Sequence, residues 1–323
     1  MDWMNTALPV LSGFVFSWVL GIGVIPLLRR LKVGQHIRTE GPKSHAKKAG
    51  TPTMGGVIFV LGTVLSLALY RGVTRTVPFK EELLILGLFV SYGAIGFTDD
   101  MRKVRGGRNL GLKAREKLAF QVLFAVLFTW FFADRKGVLI PFLGGEFSLG
   151  ILYPLFAIFI IVGIGNGVNL LDGLDGLAAG VVAIGLATYA YIAKQGAYAL
   201  GMDISPLALS SLGAVLGFLL HNKHPAKVIM GDLGSLSLGA LLAGLAVTTR
   251  TELVLIFVAA MPIIENLSVI LQVASFQLTG KRILKMSPLH HHFELSGWKE
   301  TTVVYVFWLA AAFFAFLGVL SMA

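Results

Sequence analysis

The sequence predicts an all-α integral membrane protein of about ten transmembrane helices, and three observations carry that expectation. Hydrophobic residues make up 56% of the 323 and charged ones 14%, whereas soluble domains carry about a quarter charged residues. The mean hydropathy is +0.80. Apolar runs long enough to cross about 30 Å of hydrocarbon as helices recur from one end of the chain to the other, so 1–323 reads as a single polytopic membrane domain.

The runs fall at 8–28, 52–70, 83–98, 116–133, 151–166, 174–193, 205–220, 233–249, 253–278 and 303–322. The first has Asp2 before it and Arg29, Arg30 and Lys32 after it. That order is the reverse of a cleavable signal peptide and places the N-terminus outside. Ten spans then return the C-terminus to the outside. In this orientation the inward loops carry 20 of the 27 basic residues: Arg29, Arg30, Lys32, Arg38, Lys43, Lys47 and Lys48 in the first, Arg102 to Lys117 in the second, then Lys223 and Lys227, then Lys281 to Lys299. The net charge of +10 is therefore mostly a feature of one face, suited to anionic lipid. The ninth run has 26 residues, about 39 Å if helical at about 1.5 Å per residue, and it contains Pro262, Glu265, Asn266 and Gln272. Excess length with an internal proline predicts a kinked helix whose second half leaves the membrane; an ordinary tilted span is the alternative.

Cysteine is absent, which excludes disulfides, thiolate metal sites and a catalytic thiol. The acidic residues are the sharper signal, because topology does not require them. Asp99, Asp100, Asp172, Asp175 and Asp232 all fall at inward ends of the runs, in three different loops. A transporter would more often set its ionisable groups near the bilayer midplane, so a site at the cytoplasmic face is expected instead. In GFTDDMRK, Asp99 and Asp100 close the third run, where carboxylates oppose the helix dipole unless a cation compensates; hard oxygen ligands facing Mg²⁺ would supply that compensation. In NGVNLLDGLDGLA, Asn166, Asn169, Asp172 and Asp175 recur every third residue among Gly163, Gly165, Gly167, Gly173 and Gly176. Such glycines disfavour a regular helix and predict a loop or distorted helix end where the four polar groups converge. The neighbouring FIIVGIGNGVN resembles a dinucleotide-binding glycine turn only loosely, since its third glycine is misplaced and no βαβ context surrounds it. Asp232, in IMGDLGSLSLG ahead of the eighth run, reads alone as an N-cap and with the other four as part of the site. SPLHHHFE (287–294) lies in the last inward loop. Adjacent histidines diverge in direction and lack the i, i+4 spacing of helical zinc ligands, so imidazoles that meet an anionic substrate are expected.

TPTMGG (51–56), DDMRKV (99–104), NLLDGLDGL (169–177), MGDLGSLSLG (230–239) and SPLHHHFE, in this order, resemble the polyprenyl-phosphate N-acetylhexosamine-1-phosphate transferases over essentially the whole chain. HHHFE with TPTMGG resembles the phospho-N-acetylmuramoyl-pentapeptide branch of that superfamily. One departure is that the aromatic residue usual three positions before the aspartate of MGD is here Ile229. The resemblance implies transfer of phospho-N-acetylmuramoyl-pentapeptide from its UDP conjugate to undecaprenyl phosphate, giving lipid I and UMP, with Mg²⁺, at a bacterial inner membrane. It implies Asp232 as principal metal ligand with Asp100, and Asp99 with Asp100 beside the attacking phosphate. Lys103, Lys117, Asn169, Asp172, Leu174, Asp175, Asn222 and Gln272 are implied for the nucleotide and diphosphate, and His290, His291 and His292 for the sugar-peptide side. Membrane lipid is an implied partner, a homodimer is open, and nucleic acid is not expected. A sister transferase using UDP-N-acetylglucosamine is the nearest alternative function and a lipid or nucleotide-sugar transporter the more distant one.

Overall fold

The structure, a computed structural model, describes residues 2–31, 50–106 and 111–322. Lys32, Arg38, Lys43, Lys47, Lys48 and Arg108 of the basic inward loops lie outside the described residues. Twelve α-helices are found among those described: α1 (Asp2–Arg30), α2 (Gly56–Thr74), α3 (Lys80–Gly106), α4 (Ala114–Trp130), α5 (Tyr153–Leu171), α6 (Leu177–Leu200), α7 (Ser205–Asn222), α8 (Gly231–Thr249), α9 (Leu255–Val258), α10 (Ala260–Thr279), α11 (Leu289–Leu295) and α12 (Glu300–Leu320). Nine of them, all but α4, α9 and α11, are long and apolar enough to cross a membrane. α4, with 17 residues, fills the fourth of the ten expected runs at the short end of what spans. The protein is an all-α, multi-pass membrane protein. Among the described residues the one sheet is an antiparallel hairpin of β1 (Gly137–Leu139) and β2 (Glu146–Ser148), with Val138 opposite Phe147, tied to the end of α12 by the Phe142 N–H donating to Ser321 O at 2.7 Å.

α8 is the axis of the bundle. Beyond Asp232 it carries no charge and is buried along nearly its whole length, from Leu233 to Thr249, as expected of a helix enclosed by others. α2, α3, α5 and α6 surround it. Apolar helices in lipid gain little from hydrophobic burial against one another, so close backbone approach at small residues holds them together. Gly96 of α3 lies against the Asp232 carbonyl, where an added Cβ would come to 2.1 Å; Gly56 meets Gly234, and Gly239 meets Gly165. α1 packs on α7 in the same way, through Gly13, Gly213 and Gly217. At the far end of the bundle from the acidic residues, a buried Arg71–Glu82 ion pair of 2.5 Å links α2 to α3.

The ninth run is broken rather than bent. α9 stops at Val258, Ala259 takes φ −106°, ψ 28°, and α10 begins at Ala260, so Pro262 sits in the first turn of the new helix. Proline has no N–H and its ring crowds the carbonyl four residues back, which here belongs to Val258, and the break falls there. α10 then shows two faces. Met261, Glu265, Ser268 and Gln272 are buried, while Leu267, Ile270, Leu271, Phe276 and Leu278 are exposed.

The glycines of α3 offer a paired test. Gly96→Ala should cost about 1–3 kcal/mol or more, the range for forcing atoms into a packed core, because α3 must part from α8. Gly87→Ala on the same helix meets nothing within 4 Å and should be neutral or stabilising by up to about 1 kcal/mol. Thermal unfolding of the two variants in detergent, beside the wild type, measures the difference.

Candidate active site

Hydropathy ends the third run at residue 98, but α3 continues to Gly106, so Asp99 and Asp100 lie inside a helix rather than at its end. The extra turns bring Lys103 back over both, at i+4 and i+3. Its Nζ stands 2.6 Å from Asp99 Oδ2 and 3.8 Å from Asp100 Oδ1. Asp99 Oδ1 also accepts the Leu112 N–H at 2.8 Å, and Asp100 Oδ2 accepts the Leu233 N–H at 3.1 Å. Both aspartates are buried.

Asp232 lies in the first turn of α8, with Met230 at the N-cap position; it does not cap the helix. Its Oδ2 accepts from Lys103 Nζ at 2.9 Å and from Lys117 Nζ of α4 at 2.8 Å. Its Oδ1 accepts from Asn169 Nδ2 of α5 at 2.9 Å, and that amide also donates to Ser235 Oγ at 2.7 Å. The turn before α8 is shaped to allow this. Gly231 has φ +70°, and a Cβ there would lie 2.5 Å from Asp100 Oδ2. The segment 52–56 braces the same turn, with Ile229 N–H donating to Pro52 O and Gly55 and Gly56 N–H to Ile229 O and Met230 O. Asp99, Asp100 and Asp232 thus offer carboxylate oxygens all within 4.8 Å of one another, a set that could hold a metal ion.

The four polar residues of NGVNLLDGLDGLA do not converge. α5 stays helical through Leu171, so residues three apart fan around it. Asn166 pairs with Gln121 of α4, donating at 2.9 Å; Asn169 joins Asp232; Asp172 is the C-cap of α5. Asp175 belongs to a second cluster. Its Oδ2 faces His224 Nδ1 at 3.2 Å and accepts the Ala226 N–H at 3.0 Å, while its own N–H donates to Glu300 Oε1 at 2.8 Å. Asp175, His224 and Glu300 form the other group among the described residues whose ligand atoms lie within 4.8 Å. Leu174 has its side chain in the core.

Two expected substrate residues spend their amides on loop backbone. Asn222 accepts from the Gly176 N–H at 3.1 Å and donates to Val228 O at 2.9 Å. Gln272 accepts from Ile283 and Leu284 N–H at 3.0 and 2.9 Å and donates to Leu284 O at 2.9 Å. The histidines lie on the short helix α11 and have three different partners. His290 is buried and its Nδ1 faces Glu265 Oε1 at 3.0 Å; His291 Nδ1 faces Glu294 Oε2 at 2.9 Å; His292 Nδ1 accepts the Lys285 N–H at 3.1 Å.

Sequence reasoning did not single out His224, Glu300 or Ser235. His224 could have been found as a second histidine in HNKHPAK beside lysines; Glu300 reads as an ordinary acid in the first turn of α12, and Ser235 carries no signal.

The chain matches the family model described as glycosyl transferase family 4 over residues 83–250 and the phospho-N-acetylmuramoyl-pentapeptide-transferase signature 1 over residues 48–60. It is 46% identical to the phospho-N-acetylmuramoyl-pentapeptide-transferase of Desulfitobacterium hafniense, over 99% of this chain and 98% of that one. The enzyme of the same name from a Geobacillus species is 48% identical over 97% and 96% of the two chains, and that of Bacillus subtilis 46% over 96% and 95%. With identity of this extent over nearly the full length of both chains, the chain belongs to the phospho-N-acetylmuramoyl-pentapeptide-transferase family.

Proposed function

We propose that this chain transfers phospho-N-acetylmuramoyl-pentapeptide from its UDP conjugate to undecaprenyl phosphate, giving lipid I and UMP, with Mg²⁺ as cofactor, at the cytoplasmic face of a bacterial inner membrane. The observation that carries this reading is the meeting of Asp99, Asp100 and Asp232 with Lys103 and Lys117 at one end of the bundle, in a member of this family. The helix ends around that site carry most of the described basic residues, which by the positive-inside rule favours the cytoplasm.

The donor set fits the metal. Three carboxylates crowd within 4.8 Å, and the Lys103 ammonium lodged among them stands in for a cation; hard oxygens of this kind suit Mg²⁺. Asp232 and Asp100 would hold it, with Asp99 in reach. When bound, Mg²⁺ neutralises charge on the diphosphate as its bridging bond breaks.

The remaining work falls to the chain. Lys103 and Lys117 supply two ammonium groups to the phosphates, and Asn169 keeps the Asp232 carboxylate turned toward both. A phosphate monoester has a second pKa of about 6 and is largely dianionic at neutral pH, so the lipid phosphate attacks directly with little activation. Asp99, braced by the Leu112 N–H and Lys103, accepts the proton that a monoanionic fraction still carries. Asp172, Leu174 and Asp175 present the α5–α6 turn to the nucleotide. Asn222 and Gln272 act by holding the loops at 223–230 and 283–284 that border it, and His291 and His292 lie nearest the sugar-peptide side. The exposed apolar face of α10 lies beside this loop, on the side from which the lipid arrives.

Purified protein in detergent, given radiolabelled nucleotide sugar and undecaprenyl phosphate, should form labelled lipid from UDP-N-acetylmuramoyl-pentapeptide and not from UDP-N-acetylglucosamine. A transporter would form none, since transport needs a sealed compartment and chemistry does not. Asp232→Asn should abolish turnover while the protein still melts as a folded species; near-normal activity with unchanged Mg²⁺ dependence would remove Asp232 from the metal site. Asp99→Asn should lower kcat by about 10²-fold or more, the lower range for a positioned acid–base group. Rapid quench of the native enzyme with labelled nucleotide sugar should yield no phosphorylated protein, and trapping one would replace direct attack with a covalent aspartyl-phosphate.

A further inference from the structure

α11 begins without a cap of its own. Its N-cap position is Pro288, which offers no side-chain acceptor, yet the first N–H groups of a helix need partners. Glu265 supplies them from α10. Its Oε2 accepts the Leu289 N–H at 2.6 Å and its Oε1 the His290 N–H at 3.2 Å. The same Oε1 lies 3.0 Å from His290 Nδ1. A carboxylate already accepting two backbone N–H groups presents an acceptor to the ring as well, so the hydrogen between them belongs to Nδ1.

The other ring nitrogen makes the same demand. His290 Nε2 is buried and has no hydrogen-bond partner among the described residues. It is aimed at Gly173, where an added Cβ would stand 2.2 Å away. An N–H buried there would be left without an acceptor, which is costly and favours the ring with Nδ1 protonated and Nε2 bare. Glu265 is fully buried and His290 is 1% exposed, so water does not relax either requirement.

We propose that Glu265 is a positioning residue for the transfer reaction. It seats α11 and locks His290 in its Nδ1–H form, so that Nε2 remains an acceptor against the turn carrying Asp172 and Asp175. Gly173 covers that nitrogen, so the nucleotide sugar brings its N–H or O–H donor to it as this turn shifts on binding. The proposal rests on the transferase reading, but its tautomer can be measured without turnover.

The test uses full-length protein in detergent with ¹⁵N-labelled histidine. His290→Asn keeps an N–H where Nδ1–H was and deletes the Nε2 acceptor, so the difference between its spectrum and that of the wild type isolates His290. The expected signals are a protonated Nδ1 and a bare Nε2; a protonated Nε2 would overturn the proposal whatever the activity. In kinetics, His290→Asn and Glu265→Gln should each lose about 10-fold or more in kcat/KM for the nucleotide sugar. Residues acting as a unit are not additive, so the double variant should lose little more than either single one. Multiplied losses, or His290→Asn within about twofold of wild type, would leave Glu265 as a plain structural clamp and end the proposal. If Glu265→Gln does not fold, the wild-type spectrum and His290→Asn decide alone. A wild type inactive on UDP-N-acetylmuramoyl-pentapeptide would instead count against the transferase reading and leave the tautomer result standing.

Discussion

One carboxylate joins four helices. Asp232, from α8, is held by Lys103 of α3, Lys117 of α4 and Asn169 of α5, and each contact requires the helices to approach closely. Removing one partner of a buried ion pair costs about 3–5 kcal/mol because a charge is left uncompensated; Asp232 and Lys117 are 17% exposed and Lys103 33%, so water softens the cost here. Gly96 lets α3 reach the Asp232 backbone, and Gly231 leaves room for Asp100. The bundle's packing and the site's electrostatics are therefore one arrangement: what brings the helices together also gathers three negative charges and two positive ones.

The loops around the cluster have little regular structure beyond α11, and side chains take the place of secondary structure in holding them. Asn222 bridges Gly176 and Val228, Gln272 grips residues 283–284 by both ends of its amide, and Asp175 binds Ala226 and His224. Such contacts satisfy backbone groups that no ladder serves. Glu265 and Gln272 lie seven residues apart, two turns of α10, so a single helix face holds the histidine loop at two points.

Much of this was legible in the sequence. The ten apolar runs each contain a helix, and the acids chosen for lying on one face include the three that converge. Hydropathy, however, marks where the membrane stops and not where a helix does. Arg102, Lys103 and Arg105 are good helix formers, so α3 continues beyond its run, and Lys103 meets both aspartates along the helix rather than beyond its end. Even spacing misled at Asn166, Asn169, Asp172 and Asp175, where a continuing helix sends equal steps to different partners. Pro262 announced a distortion, but its clash acts one turn upstream, and the break stands at Ala259. His290 finds its partner 25 residues back, in Glu265, and no local pattern announces such a pairing, whereas Glu294 meets His291 at i+3.

The position of the charges bears on how the chain is assembled. Asp99, Asp100, Lys103 and Lys117 are synthesised more than a hundred residues before Asp232. N-terminal segments emerge first during synthesis, so for that interval the two lysines lack the carboxylate that later joins them. Charges left unpaired at the bilayer centre would be costly. The two lysines stand in the last turn of α3 and the first turn of α4, toward water rather than the bilayer centre. Insertion of α8 then threads a helix with a single charged residue into the bundle and delivers, in its first turn, the counter-charge that closes it.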